Sequence, residues 1–123
     1  MTIWSTADLH FGHENVIEFC KRPFKTVEEM DTTLLSNMRK RVKKGDEIWI
    51  LGDFAFGPRA KDSFYLSYLF GKIPCNRRHL VIGNHDAQPT LDLPRTSVHN
   101  LVEVKDGSLK QNNTLCHYPM VTW

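Results

Sequence analysis

Side chains that hold divalent metals or move protons recur in this chain at the ends of apolar runs: Asp8 with His10, Asp53, Asn84 with His85 and Asp86, and His117. Mixed carboxylate, amide and imidazole donors suit first-row ions such as Mn, Fe, Ni or Zn better than calcium. A carboxylate has two oxygens, so one central aspartate can bridge two cations. Two ions about 3.5–4 Å apart activate a water and stabilise both oxygens of an in-line displacement at phosphorus. Each piece also has a plainer reading. Asp8-x-His10 is also a turn pattern, Gly83-Asn84-His85-Asp86 is rich in turn formers, and His117 before Tyr118-Pro119 also reads as a structural histidine. Their ordered placement at the exits of successive apolar runs is what a chance set of turns would rarely produce.

The stretch that must position them is Glu47–Asp53. Ile48 to Leu51 form a short continuous apolar run, which predicts a strand buried on both faces. Gly52 admits a close backbone approach, and Asp53 falls at the carboxyl end, where open α/β sheets place their ligands. Ile3–Ala7 reads as an earlier strand and Leu80–Ile82 as a later one. Residues two apart on a strand face the same side, so Asp8 and His10 are expected to reach one ion.

Between the first two strands, Asn15–Lys21 predicts a short helix stopped by Pro23. Thr26 and Glu29 form a capping-box pattern before Val27, Met30, Leu34, Leu35, Met38 and Val42 at helical spacing. Strand, helix, strand gives a βαβ unit and a parallel pair. The cations Arg39, Lys40, Arg41, Lys43 and Lys44 read first as a solvated helix end that complements the helix dipole, with a nucleic-acid-binding patch as the alternative. Asp62 is positioned to cap a further helix, whose aromatic residues are read as core. Gln88–Val98 reads as a loop, and Asp106-Gly107 as a hairpin turn between Leu101–Val104 and Thr114–Cys116.

The 123 residues, 41% hydrophobic and 24% charged, predict one soluble domain over residues 1–123. A net charge of +2 is too small for a dedicated nucleic-acid or membrane binder. No apolar stretch approaches membrane-spanning length, and the first residues do not read as a signal peptide. Cys20, Cys75 and Cys116 show no CxxC spacing and cannot all pair, which predicts a reduced, cytoplasmic protein.

Asp8-Leu9-His10, Gly52-Asp53, Gly83-Asn84-His85-Asp86 and Cys116-His117-Tyr118-Pro119 together resemble the first four blocks of the calcineurin-like metallophosphoesterases, in particular their small bacterial and phage members. The resemblance implies an α/β fold, a four-layer αββα sandwich with the site above the strand ends. It assigns Asp8 and His10 to a first divalent ion, Asn84 and His117 to a second, and Asp53 to both. It gives His85 contact with the phosphoryl oxygens or protonation of the leaving group, with Asp86 a candidate to orient it. The implied reaction is hydrolysis of a phosphomonoester or phosphodiester through a metal-bound hydroxide, with a nucleotide or nucleic acid among the conceivable substrates. His13 is expected at the surface and Tyr118 in packing, while His79 and His99 match no block and are expected to be surface residues.

The family's Gly-His-x-His block is not present before Trp123. The resemblance therefore leads us to expect an apparently truncated domain, either a fragment or a naturally short form, with an incomplete second sheet, three protein ligands per ion and a tendency to self-associate. The rival expectation is a degenerate, non-catalytic module that binds a protein or nucleic-acid partner.

Overall fold

The computed structural model describes residues 2–105 and 112–118. Four parallel strands lie in the order β1 (Ile3–Thr6), β2 (Glu47–Leu51), β3 (Arg77–Val81) and β4 (Ser97–His99). Ile3 pairs with Glu47, Glu47 with Arg77, and His79 with Ser97. The C-terminal ends of β1, β2 and β3 therefore lie side by side. A second, antiparallel pair joins β5 (Leu101–Lys105) to β6 (Asn112–Cys116), with Leu101 opposite Cys116. The expected turn at Asp106-Gly107 lies outside the described residues.

Helix α1 (Glu14–Phe19) closes at its C-cap Cys20, and Lys21 beyond it turns left-handed (φ 50°) before Pro23. In α2 (Val27–Arg41), Thr26 Oγ1 accepts from Glu29 N–H at 3.1 Å, and Glu29 Oε2 accepts from Lys25 N–H at 3.0 Å. Both halves of the start signal are thus satisfied, with the glutamate reaching one residue further back than the standard box. Asp62 caps α3 (Ser63–Gly71) by accepting from Phe64 and Tyr65 N–H. Leu66, Leu69 and Phe70 of α3 pack with Ile48, Ile50, Leu80, Leu35 and Val42 in the main core. Phe64 and Tyr68, expected in that core, face solvent instead, because a nine-residue helix on one sheet buries only one stripe.

The segment read as a loop contains a short helix, α4 (Gln88–Leu91), and strand β4. Pro89 sits in the first turn of α4, where a missing N–H costs nothing and its fixed φ suits the helix. His79 is not a surface residue. Period-two alternation puts it beside its register partner Trp49, on the sheet face opposite Ile48 and Ile50. Its ring stacks on Trp49 at 4.0 Å, lies 2.7 Å from Glu47 Oε1 and 2.5 Å from Ser97 Oγ. His99 is half-buried in the same cluster, 2.8 Å from Ser97 Oγ.

Asp46 fastens the entrance of the sheet. Its carboxylate accepts from Thr2 N–H, Trp4 Nε1–H and Lys43 N–H at 2.9–3.0 Å, tying the start of β1 to the end of α2. Those donors hold its pKa down at about 2. Among the described residues, no helix is long and apolar enough to cross a membrane.

Candidate metal centre

Strand β1 stops at Thr6, so Asp8 and His10 do not share a strand face. Both adopt left-handed backbone, φ 53° and 54°, with buried Leu9 between them. Asp53 does the same at φ 53° after Gly52 at 82°. Non-glycine residues in this region each carry a strain on the order of 1 kcal/mol. Among the described residues, three of the four positive-φ positions other than glycine are candidate ligands, and the fourth is Lys21. The repeated conformation, rather than strand alternation, turns Asp8 and His10 toward the same place.

The two loops hold each other. Asp8 N–H donates to Gly52 C=O at 3.2 Å, His10 N–H to Asp53 C=O at 3.0 Å, and Phe11 N–H to Phe54 C=O at 3.0 Å. Arg22 clamps the first loop from behind, donating to the carbonyls of Asp8 at 2.7 Å and Leu9 at 2.9 Å. A Cβ on Gly52 would overlap the His117 ring, and one on Gly83 would overlap Asp53. Both glycines are required by close approach, which is what Gly52 suggested in the sequence.

Asp53 lies at the centre. Its Oδ1 accepts from His85 N–H at 2.9 Å. Its Oδ2 is 3.4 Å from His10 Nε2 and 3.5 Å from His117 Nε2, so one oxygen lies between two imidazoles. Asp8 Oδ1 lies 3.9 Å from His10 Nε2. Donor atoms of Asp8, His10 and Asp53 all fall within 4.8 Å of one another. On the other flank, Asn84 Oδ1 is 2.9 Å from His117 Nε2.

These spacings fit an ion. Bonds of about 2.1 Å give ligand-to-ligand edges of about 3.0 Å in an octahedron and about 3.4 Å in a tetrahedron. The tautomers fit as well. His117 Nδ1 lies 2.9 Å from Leu51 C=O, which can only accept, so Nδ1 carries the proton and Nε2 offers a lone pair toward Asp53 and Asn84. Burial lowers the His10 pKa against the attraction of Asp53, leaving its imidazole neutral and able to ligate at neutral pH.

His13 is not a simple surface residue. Its Nδ1 lies 3.0 Å from His10 Nδ1 and the rings stack at 5.2 Å, an arrangement that leaves His10 Nε2 facing Asp53. The i, i+3 spacing of the two histidines across a tight turn, where His13 N–H donates to His10 C=O, was the available signal. His85 faces His10 edge-on at 5.7 Å and Phe56 at 4.2 Å.

Among the described residues, Asp86, expected to orient His85, makes no hydrogen bond to its ring. Its Oδ2 accepts from Gly83 N–H at 2.8 Å and Asp53 N–H at 2.9 Å, and its Oδ1 from Phe54 N–H at 2.9 Å. Burial raises its pKa, while these three donors favour the carboxylate. A short carboxylate among so many backbone donors is consumed by them. Asp86 therefore braces the loop after β3 against the loop after β2. Tyr118 is exposed, with its ring edge-on to His117 at 5.3 Å, so it borders the site more than it packs.

A family model described as calcineurin-like phosphoesterase matches residues 1–121. The chain is 38% identical over 86 residues to an uncharacterized protein of Methanocaldococcus jannaschii, covering 68% of this chain and 46% of that one. It is 31% identical over 133 residues to the gene 66 protein of Mycobacterium phage D29, covering 97% and 64%. The gene 66 protein of Mycobacterium phage L5 is 36% identical over 83 residues, covering 68% and 39%. The chain thus spans about half the length of these relatives. The crystal structure of a protein of unknown function from Aquifex aeolicus superposes with a TM-score of 0.76 at 26% identity, covering 97% of this chain and 62% of that one.

Proposed function

Since the chain belongs to the calcineurin-like phosphoesterase family, we propose that it hydrolyses a phosphomonoester or phosphodiester with the help of two divalent ions. The observation that carries this reading is Asp53 Oδ2, held between His10 Nε2 and His117 Nε2 at 3.4 and 3.5 Å. In this reading Asp8, His10 and Asp53 hold one ion, and Asp53, Asn84 and His117 the other. Mn, Fe, Ni or Zn match this oxygen and imidazole donor set. Bound there, such ions supply Lewis acidity toward the phosphoryl oxygens and acidify water.

The remaining work falls to the chain. His85 meets the phosphoryl group or protonates the departing oxygen. Its N–H to Asp53 Oδ1 couples that position to the bridging carboxylate. Arg22 and Asp86 keep the loops from shifting when charge builds up on the substrate. The three cysteines are unpaired, which favours a reducing compartment.

The test is hydrolysis of bis(nitrophenyl) phosphate with added Mn²⁺. His85→Ala is expected to lower kcat by roughly a hundredfold or more, the range of a positioned proton donor. Asp53→Asn is expected to weaken Mn²⁺ binding at both positions in calorimetry. Unchanged turnover in both variants would overturn the assignment.

A further inference from the structure

A cleft of about 480 Å³ opens beside the centre, walled by residues 12–15 on one side and 56–59 on the other. Two of its wall residues also touch the candidate centre. His13 contacts His10 through the two Nδ1 atoms, and the Phe56 ring lies 4.2 Å from the His85 ring and 4.7 Å from that of His13. Phe56 is 36% exposed although it is a large apolar residue, and it is one of the residues that line the cleft. Its backbone is fixed, because Phe56 N–H donates to Phe11 C=O at 3.2 Å.

The charges inside the cleft nearly cancel. Its guanidinium, Arg59, is engaged by Glu28 at 2.5 Å and lies 4.0 Å from Glu14. A second anionic group would therefore meet no uncommitted cation among the cleft's lining residues. An uncharged planar group would meet two rings and the amide of Asn15. Aromatic faces of this kind favour flat, polarisable partners over saturated ones of similar size.

We propose that this cleft receives the leaving group of the substrate, and that the leaving group is an uncharged alcohol bearing an aromatic ring, a nucleoside (through its sugar hydroxyl) or a phenol. This rests on the role given to His85 above. If His85 serves the departing oxygen, the carbon body attached to that oxygen must extend past the His85 ring, and Phe56 is the ring it meets there. In the reaction, water adds to phosphorus, the bond from phosphorus to the alcohol's oxygen breaks, and that oxygen leaves with a proton. Phe56 sets specificity and takes no part in the bond changes.

Two measurements test this. In the first, the Mn²⁺-loaded chain is assayed with methyl phenyl phosphate and methyl trifluoroethyl phosphate, and the ratio of their kcat/KM values is compared between wild type, Phe56→Leu and Phe56→Trp. Intrinsic reactivity cancels in that comparison. Phe56→Leu is expected to lower the phenyl preference by roughly fivefold, the scale of one aromatic contact, while Phe56→Trp keeps it. An equal fall on both esters, or no change, overturns the proposal.

The second measurement is saturation-transfer NMR on the metal-free chain with phenol, adenosine and cyclohexanol. Transfer to phenol or adenosine that exceeds cyclohexanol and weakens in Phe56→Leu supports the cleft, and whichever of the two dominates identifies the source. Transfer indifferent to Phe56 counts against it. A wild-type chain that hydrolyses neither ester, nor bis(nitrophenyl) phosphate, nor nitrophenyl phosphate refutes the phosphoesterase reading, and the NMR comparison then decides the cleft by itself.

Discussion

Asp86 shows how one side chain can shape a candidate metal centre from behind its donor residues. Its carboxylate takes three backbone N–H groups, from Gly83, Asp53 and Phe54, and so ties the loop carrying Asn84 to the loop carrying Asp53. Replacing it by asparagine removes one oxygen and puts an amide N–H₂ among donors. At least one buried N–H then loses its acceptor, at a cost of about 1–3 kcal/mol. The expected outcome for Asp86→Asn is a lower melting temperature and Mn²⁺ affinity reduced by roughly 10- to 100-fold, as for other residues that orient ligands from behind. Calorimetry together with a thermal melt reads both. If Asp86 oriented His85 instead, kcat would change with Mn²⁺ affinity intact, so the split between the two measurements separates the roles. The chemistry of Asp86 was legible in the sequence as a carboxylate next to His85, but its partners were not. Backbone N–H and C=O groups carry no sequence signature, and the same blindness hid the partners of Asp46 and Arg22.

At the scale of elements, the features read correctly were those written in local rules. The Thr26 and Glu29 start of α2, the Asp62 cap of α3 and the apolar run of β2 each depend on residues a few positions apart. Those missed depend on partners brought from elsewhere. Strand β4 is three residues long and exists through pairing with β3, and His79 is buried through Trp49 on a neighbouring strand. Asp31 belongs to this second kind. It sits on α2 at a position the helical pattern leaves polar, yet it is buried, with Oδ1 accepting from Gly12 N–H at 3.1 Å and Oδ2 without a partner among the described residues. Burial pushes its pKa up to about 6 from 3.8. The folded chain thus holds this proton more tightly than the unfolded chain. That contribution is fully present below the unfolded value and is lost as pH rises through about 6. At pH 7.5 the buried charge is a net cost, about 1–2 kcal/mol after allowing for solvent screening. Asp31→Asn keeps an acceptor for Gly12 and removes the charge. It is expected to raise the melting temperature by roughly 5 °C at pH 7.5 and to have little effect at pH 4, and equal shifts at both would refute the account.

For the whole molecule, the decisive fact is that the candidate donors come from loops after β1, β2, β3 and β6. No one segment holds more than two of Asp8, His10, Asp53, Asn84 and His117, so the unfolded chain offers no comparable site. The ordered blocks were readable because each retains its residue types. The left-handed turns that aim them were not, since Asp8, His10 and Asp53 adopt a backbone uncommon for any residue other than glycine. Such strain persists only where the rest of the fold enforces it. A ligand that binds only the folded state stabilises by mass action, about 2.7 kcal/mol at a concentration a hundred times its Kd. Mn²⁺ at that level is expected to raise the melting temperature by roughly 10 °C, and EDTA to reverse the shift. Asp53→Asn should lose most of it, because in the proposed arrangement the residue contributes to both ions. Asn84→Ala should retain part, because the donors of Asp8, His10 and Asp53 remain together within 4.8 Å. A melting temperature indifferent to Mn²⁺ and EDTA would mean that the cluster holds no ion, whatever its geometry, and equal losses in the two variants would remove the distinction between a shared ligand and a private one.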